Sequence, residues 1–313
     1  MERRVDESGR IVVAEARGKV LADQTSQMFR IVRRLWNAIS LLGRSRKLFI
    51  RKLCAEVRRR RWSSRPIRRT IQIGNVSFPL DPELDASMMN AIHFGDYGLE
   101  VALHLEKFLQ PGMTFVDVGA NVGYFSALAL NTVGPTGSVH SFEPVPDLFR
   151  RLEALAHANP QYQLACNRCA LGSKAESRTI AIAGVTNAGW NTLVPNFMEP
   201  SGQVENTSVD VQRLDEYLAL QGINSVDLIK IDVEGYEFPV LQGAEDFLTT
   251  THKKPPIICE IAPQAYPRLE TSLEEFCNYM ARLHYRAHDL FSHAPLNISS
   301  LEFTTDVLFL ANS

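Results

Sequence analysis

The sequence predicts an open α/β fold, with a mostly parallel sheet and helices on both faces. Three observations carry that expectation. From residue 114 onward, short apolar runs alternate with longer amphipathic segments. The runs are apolar throughout, as strands covered on both faces require. The last two, 285–291 and 305–311, have no helix between them and would finish the sheet as an antiparallel pair.

In chain order, residues 71–80 read as a hairpin around Gly74-Asn75, the strongest short turn dipeptide. A helix over 100–109 is closed by Pro111-Gly112. Strands are expected over 114–118, 138–143, 162–170, 226–232 and 256–261, with helices over 123–131, 146–158, 214–220, 237–248 and 273–283. The stretch 180–209 is rich in Gly, Asn, Ser, Thr and Pro around Trp190 and Phe197 and breaks this rhythm. It is expected to be an insertion lining the substrate pocket, because such excursions in an open sheet lie where ligands are met.

Residues 1–70 form a separate, largely helical basic extension, and 71–313 the α/β domain. Net charge is only −2, yet residues 30–69 hold fifteen Lys/Arg against one acid, Glu56, so the rest of the chain is strongly acidic. Ile31, Leu35, Ala38 and Leu42 fall at helical spacing, widened by Val32, Trp36 and Ile39, with arginines on the other side. This basic amphipathic stretch suits either an anionic bilayer surface or packing on a partner, and the density of Arg58 to Arg61 exceeds what a solvated face needs.

With 313 residues, 45% hydrophobic and 22% charged, the composition excludes disordered, collagenous and disulfide-stapled classes. No run approaches the roughly 18 apolar residues of a membrane span, and the first twenty lack the apolar core of a secretory signal. A cytoplasmic location is therefore expected, peripheral on the membrane if the arm binds lipid. The five cysteines are scattered except for Cys166 and Cys169, and no second Cys/His pair stands at zinc spacing, so they read as free thiols.

The chemistry-bearing block follows the first sheet strand: Asp117-Val118-Gly119-Ala120-Asn121-Val122-Gly123. Its glycines allow a sharp strand-to-helix turn and close backbone approach, and Asp117 could take an ammonium or hydroxyl of a ligand. Ser141-Phe142-Glu143-Pro144 ends the second strand and places an acid where a ribose would lie. A dinucleotide site would show G-x-G-x-x-G around a pyrophosphate, and that pattern is missing, which disfavours a nicotinamide-dependent dehydrogenase. An acid in front suits the cationic amino-acid end of S-adenosylmethionine. Later, Ile229-Lys230-Ile231-Asp232-Val233-Glu234-Gly235 brings two more acids to the same sheet edge, and Glu260 stands inside the apolar run Ile257-Ile258-Cys259-Glu260-Ile261.

Taken together, D-V-G-A-N-V-G, F-E-P, R-L-D, L-I-K-I-D-V-E-G-Y-E and the late Glu resemble the FkbM family of S-adenosylmethionine-dependent methyltransferases over roughly residues 95–312. The resemblance implies a Rossmann-like class I methyltransferase fold with a seven-stranded sheet whose last strand is antiparallel. It also implies O-methylation of a hydroxyl on a sugar, glycolipid, polyketide or similar metabolite. By position, Asp117, Gly119, Asn121 and Gly123 would line the methionine end of the cofactor, Ala120 and Tyr124 would be further cofactor contacts, and Asp232, also a cofactor contact, and Glu234 would face the methyl group and substrate. Glu143 and Pro144 would hold the ribose, and Cys169 and Ala170 would pass the adenine. Asn167 is an alternative adenine contact, because the acid that many such enzymes place there is replaced by Cys169-Ala170.

Asp232 is the expected proton acceptor, with Glu234 and Glu260 orienting the substrate and His93 a further candidate base. Glu234 could instead cap the helix that follows, Lys230 could serve only to neutralise Asp232, and a divalent metal on the three acids is a second route to activating the hydroxyl. No metal is required by the pattern. RNA or protein is the alternative acceptor class, and an acidic body makes nucleic acid the less favoured partner. A non-catalytic docking protein would not need these motifs intact.

Overall fold

The computed structural model describes residues 46–62, 69–81, 84–184, 189–197 and 204–311. The stripe expected around Ile31, Trp36 and Leu42 lies outside them. The chain divides into two compact units, Met1–Trp62 and Ser63–Ser313. In the first, helix α1 (Arg46–Trp62) carries eight basic residues and one acid. No described helix is long and apolar enough to cross a membrane.

The second unit begins with the hairpin β1 (Thr70–Ile73) and β2 (Val76–Pro79), turned at Gly74, whose φ is +57°. Helices α2 (Ala86–Phe94) and α3 (Leu99–Phe108) lead into the sheet. Sequence periodicity missed α2, although both of its ends are signalled. The Asp85 carboxylate accepts from the Ser87 and Met88 amides at 3.0 Å, and Gly95 closes the helix in the left-handed region.

Then follow β3 (Thr114–Val118), α4 (Tyr124–Val133), β4 (Ser138–Phe142), α5 (Pro146–Ala158), β5 (Gln163–Asn167), β6 (Ala170–Leu171), β7 (Glu176–Ile182) and β8 (Glu205–Gln212). After them come α6 (Leu214–Leu220), β9 (Leu228–Ile231), α7 (Glu237–Gln242), α8 (Glu245–Thr250), β10 (Ile257–Ile261), α9 (Leu273–Arg282), β11 (Tyr285–Asp289) and β12 (Thr305–Ala311). The main sheet has seven strands in the order β11-β12-β10-β9-β3-β4-β5. All neighbours pair parallel except β12, which runs antiparallel to both β10 and β11. This is the doubly wound arrangement expected. The central strands are apolar because they are covered: Phe115, Val116, Leu228, Ile229, Ile257 and Ile258 are all 1% exposed or less.

Two expected elements are broken. The run 162–170 ends as a sheet strand at Asn167, and Ala170–Leu171 crosses to a second sheet, β6-β8-β7, which embodies the insertion. The expected helix over 237–248 is split at Gly243-Ala244. The cause is tertiary: a Cβ on Gly243 would stand 2.0 Å from the Gly172 carbonyl, and the Gly243 carbonyl accepts from the Asp215 amide at 3.0 Å.

The sheet direction reverses between β3 and β9. From β3 the chain steps outward through β4 and β5, then returns to β9 and proceeds the other way to β10. That switch point opens a crevice at the carboxyl ends of the strands. Gly243→Ala should cost about 1 to 3 kcal/mol by overpacking the α7/α8 break against Gly172. Gly189→Ala, whose Cβ would meet nothing within 4 Å, should leave the urea midpoint where it is. Equal midpoints for the two variants would refute the tertiary origin of the break.

Candidate active site

The crevice is a cavity of about 390 Å³ walled by the ends of β3, β4, β9 and β10, by α2, and by residues 189–193 of the insertion. At its floor the strand ends meet closely. The Asp232 amide donates to the Val118 carbonyl at 3.1 Å, and a Cβ on Gly119 (φ +79°) would stand 1.8 Å from the Asp232 carbonyl, so no other residue fits there. The Gly119 and Ala120 amides both donate to the Phe142 carbonyl at 3.0 Å. This fixes the turn after β3 against the end of β4.

Glu143 completes the clamp. One carboxylate oxygen accepts from the Asn121 amide at 2.9 Å and the other from the Val145 amide at 2.8 Å. The group is 4% exposed, and burial pushes it up to about 7 against the pull of those two amides. Each oxygen keeps a lone pair, so Glu143 can still receive a ligand hydroxyl while it holds the loop. Gly119, Ala120, Asn121, Tyr124, Pro144, Cys169 and Ala170 line the cavity with it. Burial also pushes the Cys169 thiol up to about 12, which makes it a neutral wall.

Four expected residues stand elsewhere. Gly123 is the left-handed N-cap of α4, packed under Leu152 and Leu155, and does not border the cavity. Asp117 is fully buried beneath it: the Ser126 hydroxyl donates to it at 2.6 Å, and the Lys230 ammonium stands 3.8 Å from its other oxygen. Burial raises its pKa, with Lys230 and Ser126 opposing. His93 sits on α2 with its ring edge-on to Phe94 at 4.8 Å, outside the cavity lining. The Asn167 amide is directed to the Ser141 and Ala165 carbonyls and the Tyr217 hydroxyl rather than to the cavity.

The acids the sequence placed at the sheet edge do converge. Asp232, Glu234 and Glu260 each offer an oxygen within 4.8 Å of the others, and all three border the cavity. Lys230 lies 3.1 Å from Asp232 and 4.9 Å over the Phe125 ring. Burial works against its charge, but Asp232 and Asp117 hold its pKa above the usual value. Burial followed by the Asp232 charge pushes Glu234 up to about 8 and Glu260 up to about 10. One oxygen of Glu260 is buried with no hydrogen-bond partner, and Asp306 stands opposite it on β12. Glu234 does not cap α7, whose N-cap Tyr236 makes no side-chain cap bond; Glu237, the first residue of the helix, ties down the loop before it, accepting from the Gly235 amide at 2.9 Å and the Val233 amide at 3.2 Å.

Some of the wall was invisible in the sequence. Tyr97, between α2 and α3, borders the cavity with its ring edge-on to Tyr124 at 5.5 Å, and burial and the Asp232 charge raise its pKa. It sits near the acids through the fold alone. Trp190 borders the mouth and is 61% exposed, while Phe197 stacks under Arg268 instead. The insertion is tied to the acid loop twice: the Thr192 hydroxyl donates to the Glu234 carbonyl at 2.7 Å, and Arg178 donates to the Tyr236 hydroxyl at 2.7 Å.

The charge of the lining selects its ligand. Among the described residues the lining offers five carboxyl groups, Asp85, Glu143, Asp232, Glu234 and Glu260, and one ammonium, Lys230, which is itself ion-paired. Such a wall offers phosphate no unpaired cation, and it gives an ammonium, a sulfonium or hydroxyls carboxyl oxygens to meet. S-adenosylmethionine fits that donor set: the glycine turn for close approach, Glu143 for the ribose, and the acids for the cationic end.

The family model for the methyltransferase FkbM domain matches residues 117–287, more than half of the chain. The 31-O-demethyl-FK506 methyltransferase FkbM of Streptomyces tacrolimicus is 29% identical over 167 residues, covering 44% of this chain and 62% of its own. Methyltransferase 1 of Beauveria bassiana is 27% identical over 151 residues, covering 42% and 58%. The matches thus span about three fifths of these relatives' length. A crystal structure of methyltransferase FkbM from Methylobacillus flagellatus KT aligns with 74% of this chain and 56% of its own, at 17% identity and a TM-score of 0.39.

The buried acids make the protein's stability fall as pH rises. Glu143, Glu234 and Glu260 hold protons to about 7, 8 and 10, against 4.5 for an ordinary glutamate. Above that ordinary value the native state binds more protons than the unfolded chain, so their contribution is full below it and is lost as pH passes the folded values. The melting midpoint of the ligand-free protein should drop between about pH 5 and about pH 10, and Glu260→Gln, which cannot ionise, should flatten the drop, most of all at its alkaline end. A slope that Glu260→Gln leaves unchanged would show that Glu260 ionises normally.

Proposed function

The chain belongs to the FkbM methyltransferase family, and from that premise we propose that it methylates a hydroxyl of a small-molecule or glycan acceptor. The methyl donor is S-adenosylmethionine. When bound, it supplies an electrophilic methyl group on a sulfonium. The observation that carries the reading is the position of Asp232: at the switch point, bordering the cavity, and beside Glu234 and Glu260.

The chain's own residues supply the rest. Gly119 and Asn121 keep the floor narrow enough for backbone to meet the ligand, and Glu143 orients hydroxyls through its free lone pairs. Asp232, fixed by Lys230, receives the acceptor's hydroxyl proton on a carboxylate oxygen as charge develops on the acceptor. Glu234 and Glu260, protonated near neutral pH, donate to or accept from the acceptor and hold it against Asp232. Trp190 offers a flat apolar face at the mouth, and residues 189–193 narrow the entrance. Positioning of this kind supplies most of the acceleration in a displacement.

Glu143→Ala should weaken S-adenosylmethionine binding, measured by titration calorimetry, by about 1 to 3 kcal/mol. Asp232→Asn should keep that affinity within a few fold and lower turnover by about a hundredfold or more. Turnover is read by following labelled methyl from the cofactor into fractionated extract, with and without chelator. Label in RNA or protein instead of small molecules or glycan would overturn the acceptor class, and unimpaired turnover of Asp232→Asn would remove Asp232 as the base. Loss of activity to the chelator alone would favour a divalent ion on the three acids.

A further inference from the structure

Helix α1 carries a surface that the methyl-transfer reading does not use. Its solvent face consists of Arg46, Lys47, Ile50, Leu53, Cys54, Val57, Arg58, Arg60 and Arg61. In it, Ile50, Leu53, Cys54 and Val57 follow one another at helical spacing, and Ile50, Leu53 and Val57 are 56%, 40% and 44% exposed. The other side of the helix is spoken for, with Leu48 and Ala55 fully buried seven residues apart. The exposed stripe is therefore additional to the face this helix buries.

Charge surrounds the stripe at both ends. Arg46 and Lys47 stand before it, and Arg58, Arg60 and Arg61 after it. The helix's one acid, Glu56, is not on this face and is held by Arg59 at 3.1 Å and Arg60 at 3.3 Å. Fifteen Lys/Arg against that single acid in residues 30–69 give the whole segment the same sign.

We infer that this face of α1 docks on an anionic lipid bilayer, with Ile50, Leu53 and Val57 at the headgroup boundary and the flanking arginines and lysine on lipid phosphates. Three features select lipid over other occupants. The stripe is four residues along about 10 Å of one helix, far fewer than the roughly 20 to 30 residues a side that a stable protein interface engages. A polyanion such as RNA would use the arginines but has no need of three exposed aliphatic side chains between them. A bilayer surface needs no shape complementarity and rewards both features together, each basic residue near an anionic surface strengthening binding about fivefold before screening.

The test is co-sedimentation of the full chain with vesicles. Vesicles of equal parts phosphatidylserine and phosphatidylcholine should bring the protein down, phosphatidylcholine alone should not, and about 0.5 M salt should release most of it. The double variant Ile50→Glu with Leu53→Glu should bind at least about tenfold more weakly, because it removes apolar burial and adds two repelled charges. Arg58→Gln with Arg61→Gln should lose about fivefold for each charge. An unchanged melting midpoint and S-adenosylmethionine affinity would show that both variants remain folded. Failure of the wild type to sediment, equal binding to neutral vesicles, or undiminished binding of the glutamate variant would each overturn the proposal. Retained RNA binding in that variant with loss in the glutamine variant would assign the face to a polyanion. A change from dimer to monomer in the glutamate variant, without loss of sedimentation, would assign it to a second copy of the chain.

Discussion

A buried ammonium organises the centre of the main sheet. Lys230 lies in the middle of β9 with its side chain 3% exposed, and a charge so placed is tolerated only if its partners are fixed. They are: Asp232 two residues on and Asp117 on the neighbouring strand, with Phe125 beneath. Asp117 in turn accepts from Ser126 on α4, so the network ties two strands and the helix after the glycine turn into one unit. Replacing Lys230 by an uncharged residue would leave the Asp117 carboxylate uncompensated inside the sheet. The orientation of Asp232 toward the cavity is thus a property of the core as much as of the loop that carries it.

This explains why Asp117, which the sequence marks as a ligand contact, stands below the site. A carboxylate at the end of a parallel strand can point to either side of the sheet, and motif spacing alone does not tell which. Lys230 decides it by drawing the side chain inward. Glu143 is the complementary case, expected to meet a ribose, and observed to hold the Asn121 and Val145 amides while keeping lone pairs toward the cavity.

Much of the fold was legible because strands covered on both faces must be apolar along their whole length. The ranges 114–118, 146–158, 214–220 and 305–311 were readable to the residue. What escaped depends on contacts between distant segments. The split of α7 from α8 comes from Gly172 approaching Gly243, and the crossing of residues 170–171 to the smaller sheet comes from pairing with β8. Of the site, the three converging acids were visible because open α/β sheets bring strand ends together. Tyr97 and the α2 wall were not, since nothing in their local sequence says that a segment before the first sheet strand folds back over the crevice.

The two ties between the insertion and the acid loop bear on how such a protein can diversify. Thr192 holds the carbonyl of Glu234, and Arg178 holds the hydroxyl of Tyr236, so the wall formed by the insertion and the loop that bears the acids are fastened to each other. A mutation that reshapes the mouth of the cavity therefore also pulls on the loop that bears Asp232 and Glu234. The shape of the mouth and the placement of the acids are inherited together, and a lineage that varies the cavity must change residues 176–197 and 232–236 in concert or accept displaced acids along the way.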